Sequence, residues 1–96
     1  MRMLLKAEMP TADGNRAIKD GSLAAIVRKT LETIHAECAY FTSVNGHRTM
    51  IAVFDLKSSS DIPRIAEPLF MGLNAKVEFL PCMNAEELKL GLSAIE

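Results

Sequence analysis

Residues 38–56 read CAYFTSVNGHRTMIAVFDL, and the fold is decided there. Two β-rich runs flank Asn45-Gly46, the dipeptide that most readily supplies the two positive φ angles of a type I′ turn, so the register is nearly fixed. With a two-residue turn, Val44 faces His47, Thr42 faces Thr49, Tyr40 faces Ile51 and Cys38 faces Val53. The opposite side carries Ser43 with Arg48, Phe41 with Met50 and Ala39 with Ala52, followed by Phe54 and Leu56. Neither side is wholly polar. A hairpin apolar on both faces needs a cover on both.

Upstream, residues 2–9 alternate, with Met3, Leu5, Ala7 and Met9 on one side and Arg2, Leu4, Lys6 and Glu8 on the other, which predicts a half-buried strand. The breaker cluster at 10–15 follows, where Asp13 or Asn15 can cap the next helix. A helical segment then runs to about His35. Leu23, Ile26, Val27, Thr30, Leu31 and Ile34 share one face, and Arg28 and Glu32 form an outward i,i+4 pair. Ile18 points away from that face. Either the phase resets near Asp20-Gly21-Ser22, with Ser22 as a fresh N-cap, or Ile18 faces a second partner surface. Gly21, a poor helix-interior residue, points to the reset.

Downstream, the serine run at 58–60 lacks the context of a catalytic nucleophile and reads as a capping linker. Ile62, Ile65, Ala66, Leu69 and Phe70 predict a second helix with Pro63 in its first turn, a kink or short last turn at Pro68, and Gly72 as its close. Val77 and Phe79 alternate with Lys76, Glu78 and Leu80 in a fourth strand that Pro81 ends. Asn84 with Glu87 forms a capping box for a short helix carrying Leu88, Leu92 and Ile95.

The predicted order is β-α-β-β-α-β with an added C-terminal helix, an α+β, ferredoxin-like domain spanning 1–96. Right-handed crossovers then give a four-stranded antiparallel sheet of order 4-1-3-2 with both long helices on one face. The helix side takes Met3, Leu5, Ala7, Val77 and Phe79, with Ala39, Phe41, Met50, Ala52 and Phe54 from the hairpin. The other side mixes Leu4, Cys38, Tyr40, Val44, Ile51, Val53 and Leu80 with charged and polar residues. That apolar surface is too large to leave in water, and its simplest cover is the same face of a second copy, a homodimer.

Composition narrows the function classes. The 96 residues are 49% hydrophobic and 24% charged with a formal net charge of −1, so no basic footprint for nucleic acid exists. The central strands also lack the stacking aromatics that an RNA-binding sheet uses. The N-terminal stretch MRMLLKAEM has neither a signal-peptide apolar region nor the length of a membrane span, which predicts a cytoplasmic protein with no membrane partner. The two cysteines, Cys38 and Cys82, lack metal-ligand spacing and fall on opposite edge strands, so two reduced thiols are expected. The glycines make no phosphate-binding pattern and the histidines have no third ligand with supporting spacing. No metal or organic cofactor is expected.

The element order, the length and the stretches NGHRTMIAVFDL and IAEPLFMGLNAKVEFLPCMNAEELKLGL resemble uncharacterised bacterial proteins of the dimeric α/β-barrel superfamily. The resemblance covers nearly the whole chain. It implies two ferredoxin-like protomers that close their sheets face to face around a shared interior. Relatives in that superfamily include small monooxygenases, muconolactone isomerase, decarboxylases and purely binding members. No catalytic or haem-ligand motif of a characterised branch matches this chain residue by residue, so the resemblance brings fold and assembly without a reaction.

Chemistry is expected on the polar residues of the sheet side away from the helices. Lys6 or Glu8 can lie beside Glu78 or Lys76 as a structural ion-pair cluster, or Glu8 or Glu78 can act, desolvated, as general base for a small carbon acid. His47 is either a hydrogen-bonded turn residue or a proton shuttle at the barrel mouth near Arg2. His35 fits favourable charge at a helix C-terminus. Tyr40 and Ile51 give an apolar wall with one hydroxyl, packed in the core or dimer or orienting a planar ligand. The candidate catalytic residues are therefore Glu8, Glu78 and His47, and the candidate ligand-binding residues Arg2, Lys6, Tyr40, Thr49, Ile51 and Lys76. Two functions follow: a homodimeric barrel that binds a small, partly apolar molecule between its sheets with cofactor-free acid–base chemistry, or a non-catalytic metabolite-sensing or protein-interaction module of the same fold.

Overall fold

The computed structural model describes residues 1–95. Strand β1 (Arg2–Glu8) leads into helices α1 (Thr11–Asp20) and α2 (Ser22–Ile34), then hairpin strands β2 (Cys38–Val44) and β3 (His47–Asp55), helix α3 (Ile62–Leu73), strand β4 (Lys76–Pro81) and helix α4 (Ala85–Leu92). One antiparallel sheet has the order β2-β3-β1-β4. This is the order read from the sequence, taken from the opposite edge, and the α+β arrangement is compatible with a ferredoxin-like fold. No helix among the described residues is long and apolar enough to cross a membrane.

The hairpin fixes the sheet as its turn chemistry dictates. Asn45 and Gly46 both have positive φ, at 55° and 75°, and the pairs Val44 with His47, Thr42 with Thr49 and Tyr40 with Ile51 follow. Alternation then sorts side chains between two environments. Met3, Leu5 and Ala7 of β1 and Met50, Ala52 and Phe54 of β3 are buried with Ala17, Ile34, Ile65, Leu69 and Leu73 of the helices. Val77, Phe79 and Ala39 pack at the margin of this core. Phe41 departs from the expected pattern: it is 60% exposed. Burial along β2 falls away after Cys38 and Ala39, because this is an edge strand and the helices sit over its neighbour.

The first helical segment is broken where its phase predicts. Gly21 takes a left-handed conformation, φ 80°, between α1 and α2, which costs glycine little. Gly21, and not Ser22, holds the N-cap position of α2, while Asp20 Oδ1 accepts from the Ser22 backbone N–H at 2.8 Å and from its hydroxyl at 2.6 Å. Helix α1 starts ahead of both expected caps: Pro10 holds the N-cap position, and Asp13 lies in the first turn. Its Oδ1 accepts from Arg16 at 3.4 Å.

Helix α3 also corrects the reading. It continues through Pro68 to Leu73 and closes on Asn74 in the left-handed conformation. Ile65, Ala66, Leu69 and Leu73 are all buried, so packing on both sides of Pro68 holds the helix through the lost backbone bond. Gly72 serves contact rather than termination. A Cβ there would stand 2.6 Å from Ile26 Cδ1, so the missing side chain lets α2 approach α3. The obstructing atom is the tip of a half-buried side chain that can turn aside, so in Gly72→Ala the crowding should roughly offset the gain in helix propensity, about 1 kcal/mol. Ile26→Val removes the obstructing methyl, so the double variant should be more stable in urea denaturation than the two single effects summed.

At the C-terminus the capping box is present, with Asn84 Oδ1 accepting from the Glu87 N–H at 2.8 Å and Glu87 Oε1 accepting from the Asn84 N–H at 3.0 Å. The helix stops at Leu92, leaving Ile95 beyond it. None of its residues is buried. The radius of gyration, 15.0 Å, exceeds the about 12.5 Å of a compact chain of this length, and the molecule is 54 Å long; α4 stands off the body. Cys38 on β2 and Cys82 just beyond β4 are half-buried free thiols on opposite sheet edges.

Candidate functional site

The sheet face away from the helices carries the candidate residues because β1, β3 and β4 alternate in register. Glu8 lies between Thr49 and Lys76, and Lys6 between Ile51 and Glu78. The expected cross-strand neighbours are thus adjacent, but the bonds fall differently. Glu8 Oε2 lies 2.9 Å from His47 Nδ1, and Lys76 Nζ lies 3.8 Å from Glu78 Oε1 on its own strand. Among the described residues Lys6 makes no ion pair.

The Glu8–His47 contact is the most organised polar feature of this face. The Glu8 side chain is 13% exposed against 40% for His47. An ionised carboxylate only accepts, so Nδ1 carries the proton of this hydrogen bond. Asn45 Nδ2 donates to Glu8 Oε1 at 3.5 Å. The His47 hydrogen bond, aided by that of Asn45 and by the charge of Lys76, holds the Glu8 carboxyl below its ordinary value against the opposing effect of desolvation. Its shift is opposite to that of a desolvated general base.

That shift makes the pair a stability element with a defined sign. A depressed carboxyl pKa contributes stability above the unfolded-state value, and the contribution is lost as pH falls through the folded value. In His47→Ala the largest cause is gone. The Glu8 carboxyl should titrate at higher pH in carbon-detected NMR, and the acid side of the stability profile should flatten over that window.

Thr49 is 2% exposed, and its hydroxyl donates to the His47 carbonyl at 3.0 Å, so it shapes the position of the histidine. Tyr40 and Ile51 pair as the turn requires; the tyrosine is 67% exposed. Leu4, Ile51 and Val53 are half-buried and Leu80 is 45% exposed, which continues an apolar band across all four strands.

Arg2 belongs elsewhere. It pairs with Asp55 while Glu8 pairs with Thr49, so six residues of strand, about 20 Å, separate it from the Glu8 end beside His47. The expected Arg2–His47 mouth therefore does not form within a protomer. Arg2 Nε binds Glu37 Oε1 at 3.2 Å, and its Nη1 binds Glu87 at the start of α4. Sequence reading also missed Asn45 as a partner of Glu8, since its turn role already accounts for the residue.

A scan of family models finds none that matches this chain, and a search of curated proteins likewise returns no match.

Proposed function

We propose that the protein is a homodimer of the dimeric α/β-barrel kind, in which two open sheet faces close around an interior that binds a small, partly apolar molecule. The apolar band formed by Leu4, Tyr40, Ile51, Val53 and Leu80 carries this reading, because a surface of that extent on one face calls for a cover. Helix α4 supports it: Leu88, Leu90 and Leu92 are 46%, 74% and 55% exposed, and no residue of the helix is buried.

Within that interior His47 is the candidate proton acceptor, through Nε2, with Glu8 fixing the tautomer. Glu78 and Lys76, paired with each other, supply local charge. Lys6 is the cation left to meet an anionic group, and Tyr40 and Ile51 flank the apolar part of the ligand. The depressed Glu8 pKa favours a second reading, a binding module of the same assembly in which the Glu8–His47 pair only orders the interior.

Sedimentation velocity across a wide dilution series tests the assembly. A dimer at micromolar concentration is expected; a monodisperse monomer throughout would remove the closed interior and the ligand site with it.

A further inference from the structure

A second concavity lies on the helix side of the sheet. It is a groove of about 530 Å³ between the α1–α2 break and the hairpin, walled by Ile18, Leu23, Val27, Phe41 and Met50 with Arg48 beside them. That volume falls within the range of small-molecule sites. Two walls keep unusual exposure for their type, Ile18 at 51% and Phe41 at 60%. These are the residue whose helical phase fits no neighbour and the hairpin aromatic that the core does not absorb.

Charge adds the specificity. Among the described residues Arg2, Arg16 and Arg64 each reach a carboxylate, whereas Arg28, out on α2, and Arg48, beside the groove, do not. Among the described residues the Arg48 guanidinium makes one hydrogen bond, to the neutral Asn15 Oδ1 at 3.0 Å. Gly14 allows that placement: a Cβ there would stand 2.7 Å from Arg48 Nη1, so the cation lies against the first turn of α1. Four of its five N–H donors are left for an acceptor. A planar cation with free donors beside an otherwise apolar groove complements a carboxylate attached to an apolar body.

We propose that this groove binds a monocarboxylate with an extended or aromatic apolar body, its carboxylate on Arg48 and its body between Ile18 and Phe41. The site belongs to one protomer and lies across the sheet from the interior proposed above, so it stands whether or not the chain dimerises.

Octanoate and its neutral analogue octanamide, titrated into the full chain at neutral pH with methyl and aromatic NMR detection, test the proposal. Octanoate is expected to shift Ile18, Leu23, Phe41 and Met50 at saturating concentration and to bind about tenfold or more tightly than octanamide. Arg48→Gln should abolish that difference. Ala24→Trp, a substitution at an exposed groove position of α2, should block both probes. Equal affinity for the two probes, shifts at Tyr40 and Ile51 in place of the groove, or binding that survives Ala24→Trp would each overturn it. Groove shifts that follow protein concentration and resist octanoate would assign the groove to a second copy, also against the proposal.

Discussion

Phe54→Ala is expected to destabilise the protomer by about 3–5 kcal/mol in equilibrium urea denaturation, the usual cost of emptying a large aromatic site in a core. Phe54 is 2% exposed and stands edge-on to Phe79, with ring centroids 6.3 Å apart and planes at 70°. That geometry contributes about 0.5–1.5 kcal/mol beyond burial, so Phe79→Leu should cost less and should couple to Phe54 in a double-mutant cycle. Domains have about 5–15 kcal/mol in total. The single variant should therefore leave a substantial unfolded population at moderate temperature, and a loss below about 1 kcal/mol would refute the packing described for the β3–β4 side of the core.

Ile51→Lys should act on assembly while sparing the fold. Ile51 lies between Tyr40 and Lys6 on the open face, so the substitution sets a second ammonium beside Lys6 in each protomer. In a lone protomer both charges reach water. Between two closed sheets they are desolvated and face their counterparts, which should weaken association by at least about 30-fold, the loss of one strong interface residue. Sedimentation and circular dichroism together read this: an unchanged dissociation constant with intact secondary structure would contradict the proposed interface.

Much of the fold was legible because the chain states it locally. Asn45-Gly46 specifies a turn whose geometry leaves one register, and alternation in residues 2–8 and 47–55 then assigns faces without tertiary information. The break at Gly21 showed in the phase of Ile18. What escaped depended on distant parts of the chain. Gly72 has the local appearance of a helix stop, and only the approach of Ile26 reveals it as a packing residue. Phe41 matches Met50 in register yet remains exposed, since alternation assigns a face and cannot report how far the helices extend over it. In the candidate site, the adjacency of Glu8 to Lys76 and of Lys6 to Glu78 followed from strand order. The pairing of Glu8 with His47 did not, because several partners within reach compete for one carboxylate. Arg2 is a simpler case: it lies opposite Asp55 at the far end of β1 from Glu8, so register alone keeps it from His47.

Helix α4 gives the molecule an internal gauge. Eight residues are too few to hold a helix alone in water, and this one has a capping box and the Arg2–Glu87 contact but no core beneath it. In the proposed dimer, a cover over Leu88 and Leu92 would add to its persistence. Amide hydrogen exchange across residues 85–92, slow when that surface is covered and fast when it is bare, reads the occupancy of the helix without a label, while the buried strands exchange only with global opening.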